Sequence, residues 1–332
     1  MKIKLFALCC LFGALKASAQ EHSSSYNSLR LPVTTHTAAV GGQNVSLIED
    51  SPAAGWSNPA LYANASDLSL ALNFMTYAAG SSWMGAHFVH ALGERHTLAV
   101  GAQMMNFGKM DETDEMGNTI GSINAKDFVV GAGYSYLLSN RWSGGANLKL
   151  MVSNLAGYSA IAFAVDAGLN YYDDEKDLSA SIALQNMGTQ LKAYDNGIHT
   201  HLPFALSLGL SKGLDHLPVR FHVTLTDVTR WKSSYYVLPE DKDKDKSNKV
   251  SFGKKALNHL VLGIDVMPAD ICYLSLGYNF RRAYELKAAG SSHMAGLSAG
   301  FGLNIKRFSF GASYAKYHHA GNSFMANVGF KI

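Results

Sequence analysis

The chain has 332 residues, 48% hydrophobic and only 16% charged, with a formal net charge of +3. That charged fraction lies well below the ~25% of average soluble proteins and argues against an ordinary soluble enzyme, yet beyond the first twenty residues no run of 18 uncharged apolar residues marks a membrane-spanning helix. Three of the 28 basic residues (Lys2, Lys4, Lys16) fall in those first twenty, leaving 25 against 25 acidic ones, so a nucleic-acid partner has no electrostatic support.

Lys2 and Lys4 precede an apolar stretch from Leu5 to Leu15, and Ala17-Ser18-Ala19 offers a small-residue cleavage site. This pattern predicts a removable export signal over 1–19, with the mature chain starting near Gln20. The stretch is too short to anchor the protein, and Cys9 and Cys10 sit inside it without a preceding small residue, which disfavours lipidation. Cys272 is the one cysteine left, so no intramolecular disulfide is expected.

The next segment, 20–67, contains Ser51-Pro-Ala-Ala-Gly-Trp-Ser-Asn-Pro-Ala-Leu-Tyr62, which reads as a turn and short helix. A solvated tail has no use for Trp56, Leu61 and Tyr62. We expect a plug inside a lumen, built around Trp56, Asn58, Pro59 and Leu61.

From Leu68 to the end the hydrophobic period is two. In chain order the alternation predicts strands at 68–74, 84–88, 98–104, 128–136, 142–152, 161–171, 178–184, 204–210, 219–225, 260–266, 274–280, 295–303, 308–314 and 324–332. The last is the clearest: Phe324, Ala326, Val328, Phe330 and Ile332 share one face, and Met325, Asn327, Gly329 and Lys331 share the other. Lys149, Asp166, Arg220, Asp265 and Arg281 all fall on the less apolar parity of their strands. Facing lipid, an Arg or Lys would cost about 2–4 kcal/mol at the midplane. Connections after even-numbered strands are short (Ser139–Arg141, Leu214–His216), whereas several after odd ones are long (110–126, 188–201, 230–256, 282–292). The expected fold is therefore all-β: a transmembrane antiparallel barrel of about fourteen strands over 68–332, in a bacterial outer membrane, with both termini periplasmic. A soluble β-sandwich also alternates, but it has no reason to sort its loops by parity.

No catalytic, cofactor or metal constellation emerges. His87 and His90 are three apart on a strand and face opposite ways. His318-His319 reads as a solvated loop pair. Asp195, His199 and His201 share a loop that contains no serine, and no glycine-rich phosphate cradle precedes a helix. The run Glu240 to Lys246 reads as a solvated hairpin tip. Beside it, Trp231, Tyr235 and Tyr236 are aromatics on an outer loop, the kind of residue that anchors a partner.

The plug core Ser57-Asn-Pro-Ala-Leu61 followed by fourteen strands resembles the FadL-like outer-membrane barrels. Asn186-Met-Gly-Thr-Gln190 and His216-Leu-Pro-Val-Arg-Phe221, leading to Arg230-Trp231, resemble the PorQ branch of that superfamily, barrel components of the type IX secretion system of Bacteroidetes. The resemblance implies a non-enzymatic barrel, without cofactor, that tethers a PorZ-like surface protein near PorU and PorV, among outer-membrane lipid and lipopolysaccharide. The alternative it leaves open is a FadL-like passive transporter of hydrophobic small molecules.

Overall fold

In a computed structural model the structure is described for residues 26–194, 199–231, 251–269, 271–288, 290, 294–319 and 321–332. Residues 1–19, expected to be an export signal, Asp195, Tyr235, Tyr236 and the run Glu240 to Lys246 lie outside them.

The alternating segments form β1 (Ser69–Thr76), β2 (Ser82–Leu92), β3 (His96–Thr113), β4 (Thr119–Leu137), β5 (Trp142–Leu155), β6 (Tyr158–Asp173), β7 (Leu178–Lys192), β8 (Ala205–Leu214), β9 (Leu217–Leu225), β10 (Leu260–Ala269), β11 (Cys272–Asn279), β12 (Leu297–Ile305), β13 (Phe308–His318) and β14 (Gly321–Lys331). Each pairs antiparallel with its neighbours in sequence. β1 closes on β14, from Ser69 opposite Lys331 to Met75 opposite Met325. Closure leaves no strand edge within the wall, the condition a sheet must meet to stand in hydrocarbon. No helix among the described residues is long and apolar enough to cross a membrane.

Side-chain parity sorts as the period demands. Leu72, Phe74, Leu98, Val100, Leu148, Leu274, Leu276 and Phe301 are exposed on the outside of the barrel. Lys149, Asp166 and Asp265 are buried inside. Arg281 differs from expectation. β11 stops at Asn279, and Arg281 lies in a helix, α3 (Phe280–Ala288), where the sequence pattern predicts a loop over 282–292. A second helix, α2 (Phe252–Asn258), ends the long β9–β10 connection and packs against α3.

The rim at the long-connection end is uneven. β3 and β4 run 18 and 19 residues, against 10 and 9 for β8 and β9. The segment 110–126, expected as a loop, is mostly strand: Lys109 to Thr113 pair with Asn124 to Thr119. Lys109, Asp111 and Glu112 give it a loop-like composition, but charged side chains suit a ribbon that stands in water on both faces.

Within the barrel lies the predicted plug. It contains a 3-10 turn at Asn27–Arg30, helix α1 (Thr35–Ala39) capped by the Thr34 hydroxyl, and 3-10 turns at Ala54–Trp56 and Pro59–Asn64. The C-terminal Lys331 meets Asp50 at the short-turn end. Tyr26, the first described residue, binds Gln190 on β7, in the half of the lumen toward the long connections.

Candidate functional site

The candidate site is the plugged lumen, and its wall has two chemically different halves. Met325, Met75, Trp83 and Met105 stand directly opposite one another across β14, β1, β2 and β3. All four are buried. Val129, Met151 and Ala162 form a second such rung on β4, β5 and β6. Against this apolar half pack Tyr26, Val33 and Trp56 of the plug, with Leu29 and Leu31 beside them. Thioethers are flexible and polarisable, so a methionine-rich lining adapts to differently shaped apolar occupants.

From β6, which contributes to both halves, round to β12 the wall holds the plug through polar groups, three of them carboxylates that are almost fully buried. Asp227 receives a bidentate pair from Arg30 (2.9 and 3.0 Å) and a further bond from Arg281 (2.9 Å). Asp265 accepts from His36 on α1 and from His222 on β9, both at 2.9 Å, and from Ser275 at 2.6 Å. Asp166 meets Lys149 at 2.6 Å and the Asn186 amide at 2.7 Å, while Lys149 also reaches the Trp56 carbonyl at 3.3 Å. A buried carboxylate persists as an anion only when charge and hydrogen bonds replace water; at Asp227 and Asp265 the replacement joins plug to wall directly, and at Asp166 it does so through Lys149.

Trp56, Asn58, Pro59 and Leu61 are all buried. The Asn58 side chain accepts from Ala60 N at 3.1 Å, capping the turn, and donates to the Val45 carbonyl at 2.7 Å. Two barrel glycines make room for it: a Cβ at Gly168 would lie 1.9 Å from Asn58 Oδ1, and one at Gly145 would lie 2.5 Å from the Pro59 carbonyl. These glycines serve plug contact as well as strand packing.

The outer-loop residue Trp231 is 37% exposed, stacks on Phe252 at 5.6 Å and donates its indole N–H to the Val228 carbonyl. It is thus half engaged by its own chain, though Phe252 beside it is 75% exposed. His87 is buried against Trp56, and His90 instead meets Asp67 at the rim. The motif stretches also have structural work. Asn186 and Gln190 fix plug and loop through Asp166, Tyr26 and Thr200, and Arg220 pairs with Asp177.

Sequence reading missed one chain of groups: Ser211, His222 and Asp265, linked at 2.8 and 2.9 Å. It has the order of a nucleophile, base and acid, but all three are buried and the Ser211 hydroxyl is held by Ser46 of the plug at 2.8 Å. The chain of groups fastens the plug. Ser211 and His222 face each other on the β8–β9 hairpin and Asp265 joins them from β10, but Ser46, which holds Ser211, is 165 residues away, so local spacing could not have revealed the fastening. Two cavities flank the plug. One of about 50 Å³ lies by Arg30, Trp56 and Asn186, and one of about 200 Å³ lies by His36, Glu49 and Tyr273. Among the described residues no group of His, Cys, Asp and Glu could hold a metal ion.

The closed fourteen-stranded antiparallel barrel is a FadL-like fold, shared with solved outer-membrane barrels. The chain is similar to the toluene transporter TodX of Pseudomonas putida (13% identity, 90% of this chain and 96% of that one, TM-score 0.54). It is also similar to a FadL homologue of Pseudomonas aeruginosa (10%, 90% and 98%, 0.55) and to the monoaromatic hydrocarbon channel CymD (11%, 91% and 97%, 0.54). No family model and no curated protein matches the sequence.

Proposed function

We propose that this barrel is a passive outer-membrane channel for apolar small molecules. The observation that carries this reading is the apolar rung from Met325 through Met75 and Trp83 to Met105. The same wall packs against Tyr26, Val33 and Trp56 of the plug, and where that contact yields it offers a solute poorly soluble in water an apolar lining. The neighbours described as a toluene transporter and a monoaromatic hydrocarbon channel support the same class of cargo. In this reading 1–19 is an export signal, the short turns face the periplasm and the long connections face outward. Chemistry is not performed; the lumen sorts by polarity. Uptake of radiolabelled toluene by cells lacking the gene, complemented with wild type or with Trp83→Lys, tests it. Wild type should restore uptake and the lysine variant should not. Equal uptake with and without the gene would sink the proposal.

A second reading is a docking barrel of a type IX secretion system, of the PorQ kind, holding a PorZ-like surface protein beside PorU and PorV. It is favoured by the exposed Phe252 stacked on Trp231 and by the ribbon raised at the long-connection end. Purification from native membranes discriminates: recovery of a PorZ-like partner at stoichiometric yield supports docking, and its absence counts against it.

A further inference from the structure

The raised ribbon is an ordered object. At its base, β2 begins with Ser82 opposite Asn106 and β5 ends with Leu155 opposite Ala125, so above this level neither β3 nor β4 has another strand partner among the described residues. The register shifts between Asn106 and Lys109, a bulge that re-aims the pair. Gly108, at φ 82°, fits this bend, with its N–H bonded to Asn106 Oδ1 at 3.1 Å. The Ser81 hydroxyl braces the Phe107 carbonyl at 3.1 Å. At the tip, Asp114 accepts from the amides of Met116 (2.9 Å) and Asn118 (2.8 Å).

The two edges of this ribbon differ. The β3 edge carries Lys109, Asp111 and Glu112, charges of the kind that prevent strand addition. The β4 edge reads Thr119-Ile-Gly-Ser-Ile-Asn124: six residues without a charge or a proline, and with three β-branched side chains. Ala156 N reaches the Asn124 carbonyl at 3.4 Å, and from there to the tip no strand of the described chain pairs with that edge. Ile120 is 64% exposed and Met116 90%. A two-stranded ribbon alone is marginally stable in water, so a third strand both satisfies the free backbone groups and covers these side chains.

We propose that the β4 edge from Thr119 to Asn124 is a docking site that takes up an extended, positively charged segment of another protein by strand addition. Charge selects the occupant. Asp111, Glu112, Asp114 and Glu115 face one lysine, Lys109, so the ribbon attracts a basic strand and repels the same ribbon of a second copy. The inference concerns the ribbon alone and holds whatever passes through the lumen.

The test uses the full barrel in lipid nanodiscs with an eight-residue peptide alternating lysine and valine, read by amide hydrogen exchange. At millimolar peptide, exchange over Thr119 to Ile123 should slow at least tenfold, with Lys109 to Thr113 unchanged. The same peptide with alternate backbone N-methylation, and a glutamate–valine counterpart, should give no protection. Ser122→Lys should abolish the effect while the barrel keeps its unfolding midpoint. No slowing, equal protection of both strands, or equal protection by the methylated or acidic peptide overturns the proposal. So does protection of this edge by dimerisation in the absence of peptide.

Discussion

Asp227 shows how much one side chain can hold. Arg30 from the plug and Arg281 from α3 converge on it, with Arg230 at 3.9 Å. Asp227→Asn keeps the shape and tolerates the left-handed backbone at this position (φ 52°), since asparagine adopts it readily. The substitution removes only the anion and leaves the clustered guanidiniums without it. We expect a loss of about 3–5 kcal/mol, the usual consequence of breaking a buried pair from one side, measured by guanidinium unfolding in lipid vesicles; an unchanged midpoint would contradict it. Asp50 acts at the opposite end. Burial alone would raise its pKa, but Lys331 and the hydroxyl and amide of Ser66 outweigh this and hold it below the ordinary carboxylate range. A folded-state pKa below the unfolded one means that its contribution is full above about pH 4 and is lost as pH falls through the folded value. Acidification below pH 4 should therefore loosen the plug, seen as a change in tryptophan fluorescence, with Trp56 as the plug's reporter. In Asp50→Asn that acid step should shrink, the plug being looser at every pH; an acid step of wild-type size in the variant would rule Asp50 out.

At the scale of elements, all fourteen strands were legible because each has one face in lipid and one in a crowded lumen, and alternation is what those two solvents impose. The charges that looked like a loop at Lys109, Asp111 and Glu112 concealed the upper parts of β3 and β4, where both faces meet water and no alternation is required. Arg281 was placed in β11 because the pattern of Leu274, Leu276, Tyr278 and Phe280 runs one residue past the strand into α3. The plug was legible as a plug from Trp56 and Leu61, but its fastenings were not: His36 finds Asp265 across 229 residues and Ser28 finds Asp127 across 99. Those fastenings divide the plug into a strap, 26–33, which lies along the apolar half and is tied to the polar one through Arg30 and Asp227, and a body from Thr34 onward. If apolar solutes pass along the methionine rungs, the strap must yield while the body stays. In a Cys272→Ser background, joining Ser28→Cys to Asp127→Cys with a short thiol-bridging reagent should lower toluene uptake at least tenfold, reversibly on reduction. Bridging Thr35→Cys to Asn327→Cys, 3.0 Å apart as side-chain oxygens, should leave uptake unchanged. The opposite ranking would assign the moving part to the body.

At the scale of the whole molecule, the barrel inverts the usual arrangement of a protein, with apolar side chains outside and buried ion pairs within. The lipid face therefore tolerates charge by depth, unlike a soluble protein's surface. Leu276, at the middle of β11 beside Ile264 and Ala299, is 58% exposed, and Leu217, at the short-turn rim, is 59% exposed. Equal exposure would make the two equivalent in water. In a bilayer, Leu276→Arg should cost about 2–4 kcal/mol and Leu217→Arg about 0–1 kcal/mol, because the first carries its charge to the midplane and the second reaches the headgroups. Guanidinium unfolding in lipid vesicles measures both. The decisive comparison is the difference between them: if the two arginines cost the same, the exterior is not standing in a bilayer at the depth that strands β9 to β11 require.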